Sequence, residues 1–169
     1  MKKKLAITIP AVILLIGLYM MIFSFSAEEG EESASKSMKI SKTCVEVVNQ
    51  VTNRGWTETV KKQLADYYEH PIRKLAHFSE YCLMGILLFV IWSQWIPKGK
   101  VFYGIIILWI AISAAADEVH QLFVDGRDGN FVDVLIDTSG GCFGILICIA
   151  AVWIIRSCCS HSLRKRKQK

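Results

Sequence analysis

Apolar and charged positions alternate along the chain in blocks long enough to predict four membrane crossings. From Leu5 to Phe25 there are 21 residues without a charge, about the 20 needed to cross a hydrocarbon core roughly 30 Å thick at about 1.5 Å per residue. Three more segments qualify by length: Leu75 to Ile96, Val101 to Val124 and Val132 to Ile155. Each contains a strictly uncharged part of only 16 to 18 residues (Tyr81–Ile96, Val101–Ala116, Thr138–Ile155) and continues at one end into a turn or two carrying ionisable groups.

The segment between the first two spans, about 27–73, has a different pattern. Ala27–Ser37, rich in Glu and Ser, reads as irregular. Ile40, Cys44, Val47/Val48 and Val51 recur at helical spacing and predict an amphipathic helix ending near Asn53-Arg54-Gly55, with the glycine in the left-handed C-cap conformation. Trp56, Val60, Leu64 and Tyr67/Tyr68 repeat the pattern behind Thr57 as N-cap, and Pro71 is expected to restart the chain as the second span. These two short helices are expected to lie on the outer surface, with a lid over a site as the sharper alternative. Met1-Lys2-Lys3-Lys4 resembles a signal-peptide n-region, but 21 uncharged residues exceed the roughly 7–15 of a signal h-region, so the first span is read as a retained anchor.

Composition supports a membrane class. The chain is 53% hydrophobic with mean hydropathy +0.36, which excludes disorder and collagen-like repeats. The net charge of +5 invites a polyanionic partner until the charges are placed. Eleven cations precede span one, lie in the Pro97-Lys98-Gly99-Lys100 turn or follow span four, with no acidic residue among them. All 15 acidic residues and the other nine cations fall in the alternate segments. Positive charge is retained on the cytoplasmic side, so both termini are expected there. The basic tail, about 156–169, is then a topology signal or an anionic-lipid contact, and no nucleic-acid partner is assigned. The six cysteines form no disulfide framework: Cys82, Cys142 and Cys148 lie within spans, Cys158 and Cys159 face the reducing side, and Cys44 is the one thiol expected outside. A zinc site at Cys158-Cys159-x-His161 lacks a second ligand pair.

With that orientation, the polar ends of spans two, three and four meet at the outer interface. Lys74, His77 and Tyr81 share one helical stripe, with Glu80 about 60° from His77. Asp117, His120 and Gln121 share a face of span three, and Glu118 diverges from it by about 100°. Asp133 and Asp137 lie on one stripe of span four with Gly140 and Gly144, whose small-xxx-small spacing admits a close neighbour and draws both carboxylates into the bundle. The turn Asp125-Gly126-Arg127-Asp128-Gly129-Asn130 sets Arg127 over the same rim. Ionised carboxylates at membrane depth cost a few kcal/mol unless paired, which makes them site candidates. The bland alternative is a structural network in which Lys74 and Arg127 neutralise the carboxylates. Against it, Glu80, Asp117, Glu118, Asp133 and Asp137 outnumber Arg73, Lys74 and Arg127. Catalytic candidates are His77, Glu80, Asp117, Glu118, Asp133 and Asp137, as general acid/base groups. Ligand-binding candidates are Lys74, His77, Tyr81, Asp117, Gln121, Arg127, Asp133 and Asp137. A metal could draw on His77, Glu80, His120 and the aspartates, yet no HExxH is present and the ligands are scattered over helices, so no metal is assigned and the cofactor is left open.

Three motifs carry a resemblance. Arg73-Lys74-Leu75-Ala76-His77-Phe78-Ser79-Glu80-Tyr81 with Leu83 and Gly85, then Asp117-Glu118-x-His120-Gln121-x-Phe123-Val124-x-Gly126-Arg127, then Asp133-Val134-x-x-Asp137-Thr138-x-Gly140 closely resemble the VanZ-like family of bacterial membrane proteins. Phe25-Ser26-Ala27 with Gly30, Glu31, Glu32 and Ser33 also resembles the family's pattern after the first span. Glu28, Asp125 and Asp137 depart from positions where Gln, Pro and sometimes Asn occur in that family. The resemblance implies a role linked to low-level resistance to teicoplanin, a lipoglycopeptide acting on envelope precursors. It carries over to Lys74, His77, Glu80, Tyr81, Asp117, Glu118, Gln121, Arg127, Asp133 and Asp137.

The expectation is an all-α, polytopic protein of one domain over residues 1–169, with four transmembrane helices, both termini cytoplasmic, and two short amphipathic outer helices. It is expected in the bacterial plasma membrane, among membrane lipids, with its functional face extracytoplasmic. There it would act on an amphiphilic or lipid-linked envelope ligand. A membrane-embedded hydrolase or transferase acting on an envelope precursor is the alternative, and a small transporter a third; the oligomeric state is left open.

Overall fold

The structure, a computed structural model, describes the backbone of residues 1–167 and the side chains of residues 1–158. The cations of the tail from Arg164 onward, and Cys159 and His161 of the zinc alternative, therefore lie outside the described side chains. Five helices follow in order: α1 (Lys2–Ser26), α2 (Gly30–Thr52), α3 (Glu58–Trp92), α4 (Lys100–Gln121) and α5 (Phe131–Lys167). Four of them, α1, α3, α4 and the Phe131–Cys158 part of α5, are long and apolar enough to cross a membrane. They form an antiparallel bundle. At one end the Trp95 indole donates to the Thr8 hydroxyl at 3.1 Å, with Lys4 over the Trp95 ring and Lys98 over Phe89. Aromatic rings and lysines of this kind suit the level of lipid headgroups. At the other end Ser26, His77, Asp117 and Asp137 come together.

Helix α4 shows how one stripe builds both the core and the polar end. Phe102, Ile106, Ile110 and Ala114 recur every fourth residue and are fully buried. The same face continues through Asp117 and Gln121, which are 8% and 5% exposed. The register that packs the apolar residues thus turns the carboxylate inward. Leu15, Leu18 and Ile22 of α1, Met84, Leu88 and Phe89 of α3, and Ile145 of α5 complete the core. The outward residues include Ile13, Leu14, Ile16, Leu108, Ile112, Leu146 and Trp153, all exposed. Apolar surface of that extent is foreign to soluble monomers and suits lipid tails.

Helices α3 and α5 meet most closely, and glycine is the reason. A Cβ at Gly140 would lie 2.3 Å from the Phe78 carbonyl oxygen, and one at Gly144 would lie 2.1 Å from that of Cys82. From the other side, a Cβ at Gly85 would lie 2.2 Å from the Gly141 carbonyl oxygen. The expected small-xxx-small seam is therefore present, with α3 as its partner.

The segment between α1 and α3 departs from expectation in several ways. Helix α2 begins at Gly30, so most of Ala27–Ser37 is helical rather than irregular. Its Glu, Ser, Ala and Lys residues tolerate helix, and tertiary contacts hold it there: the Ser37 hydroxyl bonds the Glu69 carboxylate, and the Ser41 hydroxyl donates to the Ala65 carbonyl at 2.8 Å. The second outer helix is not separate. Thr57 caps Val60 N as expected, but α3 then runs unbroken through Pro71 into the span. The main chain bond that proline removes would have gone to the carbonyl of exposed Tyr67, where water can replace it. Asn53, not Gly55, takes the left-handed C-cap of α2 (φ 49°).

The apolar stripe of α2 also points the unexpected way. Ile40, Val47, Val48 and Val51 are exposed, while Ser37, Ser41 and Val45 are buried against α3. Small side chains win the interface because they admit the backbone of α3. The second span ends at Trp92, with 93–96 as a turn, and the third ends at Gln121 rather than Val124. The helix of the fourth span, α5, carries on to Lys167, beyond the expected end at Ile155.

Substituting Gly144 or Gly140 by valine should cost about 1–3 kcal/mol through overpacking of the seam. The expected outcome is a thermal midpoint lowered by several degrees and an early aggregate on size exclusion in detergent. Gly104→Ala, whose Cβ would meet nothing within 4 Å, should leave both readouts unchanged.

Candidate functional site

The polar end is assembled by four helices: Ser26 comes from α1, His77 from α3, Asp117 and Gln121 from α4 and Asp137 from α5. One ring nitrogen of His77 and one oxygen each of Asp117 and Asp137 lie within 4.8 Å of one another. Asp117 is held on both sides: the Ser26 hydroxyl donates to Oδ1 at 2.6 Å, and Gln121 Nε2 donates to Oδ2 at 3.2 Å and to the Ser26 oxygen at 3.1 Å. Asp137 is 1% exposed, and its Oδ2 has no hydrogen-bond partner among the described residues. It faces His77 Nδ1 at 4.0 Å, beyond hydrogen-bond distance, and that nitrogen is unpartnered too. Here the seam sets the geometry, because Gly140 docks on Phe78 one turn from Asp137 and one residue from His77.

The pairing alternative holds for part of the set. Lys74 pairs with Asp133 across α3 and α5, so Asp133 is neutralised as a structural network requires. Glu118 accepts from Asn130 N at 2.8 Å and pins the α4–α5 loop. Among the described residues, Asp117 and Asp137 have no cation within ion-pair distance apart from His77 beside Asp137, and Arg73 is engaged by Glu69 at 2.5 Å. Within the cluster, the carboxylate surplus counted in the sequence thus resolves onto these two residues, with Glu80 a further unpaired carboxyl outside it among the described residues.

Arg127 lines the polar cavity and also holds the end of α1. Its Nε donates to the Glu28 carbonyl at 3.1 Å and its terminal nitrogen to the Phe25 carbonyl at 2.9 Å. Gly30 N donates to the Asp125 carbonyl at 3.0 Å. A Cβ at Gly30 would lie 1.9 Å from the Gly126 carbonyl oxygen, so the hinge between α1 and α2 and the Asp125-Gly126-Arg127 turn fit as one clamp. Two stretches noted separately in the sequence, after the first span and after the third, are the halves of this contact.

Two cavities reach the cluster. A polar one of about 200 Å³ is lined by His70, Arg73, Lys74, His77, Arg127 and Asp137, with Glu118, Gln121 and Asp133 also in its wall. An apolar groove of about 730 Å³ runs between α1 and α4, past Ile22, Phe23, Leu108, Trp109 and Ile112, and ends on Tyr81, Asp117 and His120. In it Trp109 donates to the Tyr19 hydroxyl at 2.8 Å, which is 2.6 Å from Ser113 Oγ, and Phe23 stacks on His120 at 4.6 Å.

Of the residues singled out from sequence, His77, Asp117, Gln121 and Asp137 form the centre, while Lys74, Glu118, Arg127 and Asp133 line the polar cavity. Tyr81 belongs to the groove. Glu80 joins neither the cluster nor the polar cavity, and its Oε2 is buried without a hydrogen-bond partner among the described residues. Sequence reasoning noted Ser26 in the Phe25-Ser26-Ala27 stretch but did not place it in the site, where it is fully buried on Asp117. It also missed the groove, whose walls are ordinary lipid-facing residues.

The Lys74–Asp133 pair should behave as a coupled unit. Lys74→Ala, leaving a half-buried carboxylate unpaired, should destabilise more than the Lys74→Ala/Asp133→Ala double variant, with a coupling of roughly 1 kcal/mol or more in a thermal cycle in detergent.

Comparison with known proteins agrees with the motifs. No curated protein and no solved structure matches the chain. The family model described as VanZ/LLP1 matches residues 11–155, a stretch reaching from the first span through the fourth and including every residue of the cluster. The chain is a multi-pass membrane protein that belongs to the VanZ/LLP1 family.

Proposed function

We propose that this protein acts at the outer leaflet of a bacterial plasma membrane on an amphiphilic or lipid-linked envelope ligand, and that it contributes to resistance to lipoglycopeptides of the teicoplanin type. One observation supports this above the others: the apolar groove and the polar cavity converge on the same buried cluster. A ligand with an acyl or prenyl chain can lay it between α1 and α4 without leaving lipid. Its phosphate or carboxylate then enters the polar cavity lined by Lys74, Arg73 and Arg127, of which Arg127, bonded to neutral main chain carbonyls, keeps its full charge for such oxyanions. The positive charge of the segments flanking the opposite end supports an outer location for the cavity.

The orientation has a direct test. A membrane-impermeant maleimide applied to intact cells should label Cys44, in α2, and label Cys158 only after permeabilisation; the reverse pattern overturns the assignment. For the function, Asp117→Asn, Arg127→Ala and Asp137→Asn expressed at wild-type levels in a sensitised host should each restore teicoplanin susceptibility. Unchanged susceptibility in all three rejects the resistance role.

The unmet pair His77 and Asp137 supports a second reading, a hydrolase or transferase working on the same ligand. It requires turnover: purified protein with labelled lipid-linked precursor should release a product, and Asp137→Asn should abolish it. Binding without product would leave the protein a ligand binder.

A further inference from the structure

We infer that His77, Asp117 and Asp137 form a binding site for one divalent transition-metal ion, of the Zn²⁺ or Mn²⁺ class. The inference does not depend on the identity of the envelope ligand. It starts from charge. Two carboxylates are buried at 8% and 1% exposure. Lys74 is paired with Asp133 and Arg73 with Glu69, while Arg127, held on two main chain carbonyls, makes no ion pair with either carboxylate among the described residues. Two buried carboxylates this close, with His77 as the one cationic group in contact among the described residues, are strongly unfavourable as a pair of anions.

The second line of argument is the unmet bonding. Asp137 Oδ2 and His77 Nδ1 are both buried, both without a hydrogen-bond partner among the described residues, and aimed at each other across 4.0 Å. That gap is too long for a hydrogen bond and close to the span between two ligands of one ion, since metal–nitrogen and metal–oxygen bonds of about 2.0–2.2 Å put donors roughly 3–4 Å apart. The third donor, an Asp117 oxygen, completes a set within 4.8 Å. The three donors come from three helices, α3, α4 and α5, so an ion would tie the bundle together where the glycine seam ends.

The third line is the surrounding shell. Ligating carboxylates are held by outer hydrogen bonds that fix their orientation. Asp117 has such a shell in Ser26 and Gln121, which bond different oxygens and leave a lone pair on each. One imidazole and two carboxylates suit Zn²⁺ or Mn²⁺ better than Cu⁺, which prefers sulfur, or Ca²⁺, which takes more oxygens. Three protein ligands leave further coordination positions for water or for a phosphate or carboxylate oxygen of a ligand in the polar cavity, as in metal sites that remain open.

The test uses the full-length protein in detergent, stripped with chelator and titrated with Mn²⁺ and, separately, Zn²⁺. Expected are one tight equivalent of Mn²⁺ per chain by electron paramagnetic resonance, a raised thermal midpoint with either ion, and nitrogen modulation of the Mn²⁺ echo from the His77 ring. His77→Gln should abolish the nitrogen signal, and Asp137→Asn should weaken binding at least tenfold, whereas Glu46→Gln on exposed α2 should change neither. Absence of a saturable equivalent, or equal affinity in wild type, His77→Gln and Asp137→Asn, overturns the proposal. If either variant fails to fold, the nitrogen modulation in the wild type decides alone, and its absence rejects histidine ligation. Loss of metal binding would leave the teicoplanin readout of the proposed function as a separate question.

Discussion

The close approach of α3 and α5 is the constraint on which the rest of this structure depends. Apolar burial does little to distinguish one helix pairing from another in lipid, so packing and polar bonds choose. Gly140 and Gly144 lie against the carbonyls of Phe78 and Cys82, and Gly85 lies against Gly141. That contact fixes both the rotation and the height of the two helices. His77 and Asp137 face each other as a result, and Lys74 comes opposite Asp133 one turn further out. Helix α4 adds Asp117 through the same stripe that buries Ile106 and Ile110.

A second contact closes the site from the side of α1. Arg127, Gly126 and the Asp125 carbonyl grip the hinge at Phe25, Glu28 and Gly30. The hinge carries Ser26 onto Asp117, so a loop between α4 and α5 positions a hydroxyl from α1. This explains why glycine and arginine stand together in a turn that is otherwise polar and exposed. The guanidinium meets backbone carbonyls at the end of α1, where the last turn leaves acceptors without intrahelical donors.

Much of this was legible in the chain. The four spans follow from run length, and the polar turns at one end of three of them put His77, Asp117 and Asp137 among ten candidates without separating them from the other seven. The Gly140/Gly144 stripe pointed to a close partner, although only the fold named it as α3. The region 27–73 was read less well, for a physical reason. Periodicity shows that Ile40, Val47 and Val51 share a face, but not whether that face meets protein or another medium; the interface went instead to Ser37, Ser41 and Ala65. Pro71 reads as a break because it lacks a donor, yet a single lost bond at an exposed turn is too small to stop a helix of 35 residues.

The sequence by itself determined the class of the protein, the number of crossings and the set of ionisable groups gathered at one end, because these follow from the cost of placing charge and backbone in hydrocarbon. The tertiary structure decided which charges are satisfied. Pairing depends on placing atoms to within a few tenths of an ångström between residues up to about a hundred positions apart, as in Arg127 with Phe25 or Ser26 with Asp117. No periodicity encodes such distances. The backbone seam sets them, and it leaves Asp133 neutralised while Asp137 and His77 face each other unbonded.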